Sequence, residues 1–394
     1  MKNLYLFTVK YPYTKYAECF LEDEIAYLSK KFDHIQITPL EREGMEVKPL
    51  PPNCSASTPL FLNKKWFVIR GLFNWQVARK MLPILFRHNI ITDKVRRQDW
   101  LKAYFTANNL LNSSEVKEIA KKLSKDDVCY FYWGKWSNIL ACFWRGRCHM
   151  VSRFHGEGDL WEECHKGYVP LRAEVVKSLD AAVFISQKGE KYFKERYPVC
   201  KTLVFPLGSN DIDYCKRTPS DKIRVLSCST VSALKRVTLI YESLLAVEGK
   251  NIEWTHIGGG PMMEKLEQMV SDHQGSHVDV KLLGAKNHDE VMDYYTKHCF
   301  DVFINLSTNE GVPVSIMEAI SCDIPVVATN VGGNSEIVTK ETGLLVGANP
   351  KPKEVAEAIS KVIHNSNSPR LFWESHYDAA KNYEAYADFL SKLR

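Results

Sequence analysis

A chain of 394 residues, 45% hydrophobic and 25% charged, has the composition of an ordinary folded protein, which excludes extended disorder and leaves room for two cores. Its net charge of +5 is slight for this length and gives no reason to expect a nucleic-acid partner. Eleven cysteines, an odd number without a Cys-x-x-Cys pair, fit free thiols in a reducing compartment better than a disulfide framework or a zinc site.

The N-terminus, Met-Lys-Asn-Leu-Tyr-Leu-Phe, enters a strand directly and does not read as a secretory signal. No apolar run reaches the roughly 18 to 20 residues needed to cross a bilayer, so a cytoplasmic protein is expected. Strand-like runs recur at 4–9, 35–38, 128–132, 149–153, 181–185 and 202–205, with amphipathic stretches between them. This is the βαβ alternation of a doubly wound α/β sheet.

Residues 61–100 interrupt the series with nine Lys or Arg (64, 65, 70, 79, 80, 87, 94, 96, 97) against Asp93 and Asp99. Trp66, Phe67, Phe73, Trp75 and Phe86 are interleaved among them. Such a segment suits either contact with the anionic inner face of a membrane or a core helix with a solvated basic face.

The run at 149–153 leads into Arg153-Phe-His-Gly-Glu-Gly158, a Gly-containing loop after a strand in which His155, Glu157 and Asp159 are polar candidates. Residues 208–221, polar with Gly and Pro, form the best linker, placing one domain at 1–207 and a second at 208–372. Asp211-Ile-Asp213 has an Asp-x-Asp form, but it lies in this linker without further oxygen ligands, so no metal is expected.

A second alternating series follows at 223–228, 253–257, 278–283, 302–305 and 325–328. Two such domains facing each other across a cleft would direct both sets of carboxyl-end loops to one site. Lys235 and Arg236 follow the first of these strands and could neutralise a leaving diphosphate. Gly258-Gly-Gly-Pro261 does not make a dinucleotide fingerprint, because Met263 stands where the third glycine belongs and Pro261 lacks an amide donor. Gly258 and Gly260 are expected to be structural.

The richest stretch is 305–336, NLSTNEGVPVSIMEAISCDIPVVATNVGGNSE. A buried strand ends at Asn305, a loop follows, and a helix starts around Pro313, whose missing N–H costs nothing there. The amides from Gly311 and Val312 to Val314 face an anion such as a diphosphate. Glu318, in the second turn, could take two adjacent ribose hydroxyls, and Glu310, on the loop, could meet a hexose beyond the diphosphate.

Glu310-Gly-Val-Pro-Val-Ser-Ile-Met-Glu-Ala319, the Pro325-Val-Val-Ala-Thr329 strand and Val331-Gly-Gly-Asn-Ser-Glu336 together resemble the retaining glycosyltransferases of family 4, which have the GT-B fold of two Rossmann-like domains. The likeness extends to Tyr11-Pro-Tyr13 with Glu18 to Glu24, to the histidine-glycine loop at 152–156, and to Lys235. It also covers the final segment, 373–394, which is similar to the helix that crosses back to the first domain. Residues 40–125 match only loosely.

The resemblance implies a hexosyl transfer from a UDP- or GDP-sugar to a hydroxyl of a growing, lipid-linked glycan, without a metal cofactor. It puts Glu318 on the ribose, Glu310 on the donor sugar, Gly258 and Gly260 facing the donor, His155 on a sugar hydroxyl from the opposite domain, and Tyr13 with the weaker candidates Glu157 and Asp159 on the acceptor side. Relatives usually carry an Arg where this chain has Thr230, which places more of the phosphate on Lys235 or assigns it to another residue. A nucleotide-sugar epimerase, a phosphorylase with lysine-bound pyridoxal phosphate, and a non-catalytic nucleotide-sugar-binding subunit are the alternatives for this architecture.

Overall fold

Seven parallel strands form the first sheet of the computed structural model: β1 (Asn3–Thr8), β2 (His34–Pro39), β3 (Cys54–Ala56), β4 (Val128–Phe131), β5 (His149–Phe154), β6 (Ala181–Phe184) and β7 (Thr202–Val204), in the order β3-β2-β1-β4-β5-β6-β7. Six more form the second: β8 (Lys222–Cys228), β9 (Asn251–Ile257), β10 (Val278–Leu282), β11 (Val302–Asn305), β12 (Val326–Thr329) and β13 (Gly343–Val346), in the order β10-β9-β8-β11-β12-β13. The structure describes residues 2–14, 18, 20–61, 71–156, 158–365 and 368–393. The chain divides into one unit of Met1–Phe205 with Tyr383–Arg394 and another of Pro206–Asn382.

Because helical crossovers cover both faces of a parallel sheet, its strands read as unbroken apolar runs. Val128–Phe131, Val302–Asn305 and Val326–Thr329 are buried at every position. In the first unit, Leu4 and Leu6 join Tyr386, Ala387 and Leu390 of the last helix, Ala379–Ser391, on one face. Tyr5 and Phe7 point the other way, into a second core with Phe131 and Trp144. In the second unit, Val225, Ile304 and Val327 pack under Ile240, Leu244 and Ile359 from the helices Val237–Leu245 and Pro352–Val362.

Each sheet starts in the middle, winds outward through three strands, then returns to the other side of its first strand. The loops after β1 and β4, and those after β8 and β11, therefore leave in opposite directions. A crevice at the carboxyl ends of the strands is the consequence, and in such sheets it is where ligands collect.

Cys215 and Cys299 are joined by a disulfide, which corrects the expectation of free thiols throughout. Their Cα atoms lie 5.0 Å apart, within bonding range, although 84 residues separate them in sequence. The pairing removes part of the cysteine argument for a reducing compartment. Asp211, from the Asp-x-Asp pair, is bound to Arg370 at 2.6 Å.

Among the described residues no helix is long and apolar enough to cross a membrane. Lys64, Lys65, Trp66, Phe67 and Arg70 of the basic segment lie outside the described residues. The remainder forms the helices Trp75–Met81 and Lys94–Asn112 with a 3₁₀ turn, Leu82–Phe86, between them. Val77, Met81 and Ile84 enter the core, while Phe73, Trp75 and Phe86 are exposed.

Candidate active site

In the second unit the switch point lies between β8 and β11, and the loops that follow these strands are stitched together. Thr308 donates its amide to the Leu234 carbonyl (2.8 Å). The Arg236 guanidinium donates to the carbonyls of Leu306 (2.5 Å), Ser307 (3.0 Å) and Ala348 (2.8 Å) and to Asn349 Oδ1 (3.1 Å). Arg236 was expected to share the phosphate with Lys235; its donors instead hold the loop after β11 in place.

Asn305 and Ser307 fix the next turn. Asn305 Oδ1 accepts the Ser307 amide (3.1 Å), while Asn305 Nδ2 (3.2 Å) and Ser307 Oγ (2.6 Å) both donate to Glu310 Oε1. Lys235 Nζ lies 2.5 Å from the same oxygen. A carboxylate from one loop and an ammonium from the other thus meet at the switch point, both partly buried, with two neutral donors setting the carboxylate's direction.

Gly311 and Val312 lead to Pro313, which stands at the N-cap of the helix Val314–Ser321. The first amides of that helix have no carbonyl partner within it. The Val331-Gly332-Gly333 turn backs the loop: Gly333 donates to the Gly311 carbonyl (2.7 Å), and a Cβ on Gly332, whose φ is +50°, would sit 1.7 Å from the Glu310 carbonyl. Only glycine fits there.

Glu318, 5% exposed, points its Oε1 at His288 Nε2, 3.0 Å away. His288 opens the helix His288–Lys297, whose start is set by an Asn287–Glu290 capping box. The loop after β9 completes the surroundings. Gly258 (φ +145°) donates to the Gly284 carbonyl (2.8 Å), and a Cβ on Gly260 (φ +157°) would reach 2.5 Å from the Val231 carbonyl. Thr230, beside it, is exposed.

The remaining expected residues belong to the first unit. His155 is 9% exposed, with its ring 4.5 Å from that of Trp133 and its Nε2 2.9 Å from the Tyr132 carbonyl. A carbonyl only accepts, so Nε2 carries the proton and Nδ1 keeps its lone pair. Burial, reinforced by Arg153, lowers the His155 pKa to about 3.

Asp159 accepts the amides of His155, Gly156 and Gly134 at 2.9 to 3.1 Å, and burial raises its pKa to about 6. Expected as an acceptor contact, it holds the histidine-glycine loop closed. Tyr13 donates its hydroxyl to the Ser57 carbonyl (3.2 Å). Glu157 lies outside the described residues.

Sequence reasoning did not single out His288, Ser307, Asn305 or Glu18 as site residues. The Glu18 carboxylate accepts the amides of Val9, Lys10 and Tyr11 and the Trp133 indole N–H, shaping the loop after β1. Three successive amides on one carboxylate leave no signature in sequence, because the loop that supplies them has no fixed pattern.

Residues 213–378 match the family model described as glycosyl transferases group 1. An uncharacterised glycosyltransferase of Methanocaldococcus jannaschii is 30% identical over 138 residues, 35% of this chain and 38% of that protein. Protein CapJ of Staphylococcus aureus is 29% identical over 224 residues, 55% of this chain and 54% of its own length. The chain thus spans about a third to about half of the length of these relatives.

Among solved structures, Anabaena HepE in complex with UDP superposes with a TM-score of 0.66 at 16% identity over 100% of both chains. The lipopolysaccharide outer core galactosyltransferase WaaB gives 0.68 at 14%, over 99% of this chain and 100% of that one. At these identities the likeness is one of fold. The protein has the GT-B fold, and its residues 213–378 are similar to the group 1 glycosyl transferases.

Proposed function

We propose that the protein is a retaining glycosyltransferase that moves a hexosyl group from a UDP- or GDP-sugar to a hydroxyl of a growing glycan, within surface polysaccharide or lipopolysaccharide assembly. The observation that carries this reading is the meeting of Lys235 and Glu310 at the switch point of the second sheet, beside the helix that holds Glu318. HepE, of the same fold, was solved with UDP and with UDP-glucose, which favours a uridine donor.

In this reading Glu318 takes the ribose hydroxyls and Glu310 the hexose. Lys235 and the first amides of the helix Val314–Ser321 meet the diphosphate, whose charge grows as the glycosidic bond breaks. The acceptor hydroxyl attacks the same face of the sugar and passes its proton to the departing phosphate oxygen. No metal ion is assigned a part, so EDTA should leave the rate unchanged. The first unit takes the acceptor, with His155 Nδ1 as a hydrogen-bond acceptor.

A peripheral membrane contact accompanies the reading. Phe73, Trp75, Leu82 and Phe86 are exposed beside Arg79, Lys80 and Arg87, a combination that suits an anionic lipid surface. Release of UDP or GDP from a panel of nucleotide sugars, measured with a membrane fraction as acceptor source, tests the activity. Release from one donor with retained anomeric configuration in the product supports it; no release from any donor, or an epimerised donor, sinks it.

A further inference from the structure

Within the first unit a cavity of about 350 Å³ opens beside the loops that follow β4 and β5, with the helix Lys94–Asn112 forming its other wall. Its lining is unlike that of a folding defect. Lys102, Lys135 and Arg172 supply three cations against one carboxylate, Asp99, and the rest is apolar or neutral. Trp136 sits at its edge, 39% exposed, with Lys135 Nζ 4.9 Å over its ring. His165 ties the cavity wall to the histidine-glycine loop, 3.4 Å from Asp99 and 3.3 Å from the Gly158 carbonyl.

Arg172 is 4% exposed, with its guanidinium carbon 5.0 Å over the Phe154 ring, and the carboxylates of Glu162 and Asp159 act on it only from beyond ion-pairing contact. Its Nη2 donates to the Asp159 carbonyl (2.7 Å), while Nη1 is buried without a partner among the described residues. A buried cation left in that state is costly, and an anion would relieve it. Burial also lowers the Lys135 pKa.

The backbone adds an independent sign. Trp136 (φ +61°) and Leu171 (φ +59°), the residue before Arg172, both hold the left-handed conformation. Bulky side chains adopt it only where the surroundings impose it, and such strain gathers at ligand clamps.

We infer that this cavity holds the acceptor, and that the acceptor carries an anionic group, a phosphate or carboxylate, close to its sugar. The inference rests on the glycosyltransferase reading and narrows its acceptor. The Trp136 ring offers a face for the sugar, Asn138 and Thr106 offer polar groups to hydroxyls, and Lys135, Lys102 and Arg172 balance the charge. Phosphate of a lipid carrier and phosphate or carboxylate on a soluble sugar share this chemistry.

The test is binding to the full chain, with and without saturating UDP. Glucose 1-phosphate, glucuronic acid and glucose are titrated by calorimetry, and phosphatidylcholine vesicles with and without polyprenyl phosphate are compared by co-sedimentation. One anionic probe should bind at least tenfold more tightly than its neutral counterpart, with UDP present or absent, and the responding arm identifies the source. Lys135→Gln and Lys102→Gln should each weaken that binding about tenfold while binding UDP as the wild type does. Equal binding of anionic and neutral probes, or undiminished binding in both variants, overturns the inference. Charge-dependent binding through Lys135 in a chain that fails to bind any nucleotide would uphold the cavity and remove the donor reading instead.

Discussion

Lys235 is joined to Glu310 across two loops, yet Glu310 is also held by Ser307 and Asn305. Lys235→Ala should therefore cost little stability, under about 1 kcal/mol for a partly exposed pair. Turnover should fall about 10²- to 10³-fold if the ammonium meets the leaving diphosphate. Thermal melting and UDP release measure the two effects separately.

Protonation gives a second residue-level prediction. His256 is buried against Ser227 (2.8 Å), and burial lowers its pKa to about 4. With an unfolded value near 6.5, the unfolded chain binds the extra proton first as pH falls. Stability of the second unit is thus fully present above pH 6.5 and lost progressively toward pH 4, by on the order of 3 kcal/mol. His256→Gln should flatten urea midpoints measured across that window. In the first unit His155 pulls the same way, but Asp159, with its pKa raised to about 6, is relieved by protonation and opposes it between pH 6 and 4.

What could be read at this scale followed sequence distance. Glu310 and Glu318 stand on one loop and its helix, so their positions follow from a local pattern. His288 lies 30 residues from Glu318, and only the fold brings the two together. Arg236 shows the converse: its place beside Lys235 was legible, but the carbonyls that occupy it come from 70 to 113 positions away.

At the scale of elements, eleven of the strands were legible: the nine central ones because buried parallel strands are rich in apolar residues, and the edge strands β7 and β10 because their β-branched residues still stand out from polar flanks. The two that escaped are edge strands. Cys54–Ala56 is short and only partly buried, and Gly343–Val346 begins with a glycine, so neither presents a contrast with its flanks. Its β12 neighbour, by contrast, has every residue buried.

The Gly332-Gly333 turn belongs to this scale as well. Because it supports the Glu310 loop from behind, Gly332→Ala must move that loop, and its left-handed backbone adds strain of about 1 kcal/mol or more. The variant should fold with a lowered melting temperature and lose nucleotide-sugar turnover by an order of magnitude or more. Near-wild-type turnover would mean that the loop's position is not required.

Over the whole molecule, the two alternating series of strands were visible in composition and spacing, as was the polar stretch between them. The Cys215–Cys299 bond was not, since a pairing over 84 residues has no local mark. Of the basic aromatic segment, Val77, Met81 and Ile84 enter the core while Phe73, Trp75 and Phe86 are exposed, and the proposed lipid contact rests on the exposed residues. Vesicles with anionic lipid should retain the protein at low salt and release it as salt screens the contact. Trp75→Ala with Phe86→Ala should abolish retention without lowering UDP affinity; retention unchanged in the double variant would rule out this surface.

The central claim, a nucleotide sugar held at the second sheet's switch point by Glu318, is tested most directly by calorimetric titration of UDP into wild-type and Glu318→Ala protein. Loss of hydrogen bonds to a charged group predicts a penalty of about 1.5 to 3 kcal/mol, roughly a 10- to 150-fold weaker Kd, with the first unit's His155→Ala unaffected. Equal UDP affinity in Glu318→Ala and wild type would contradict the account.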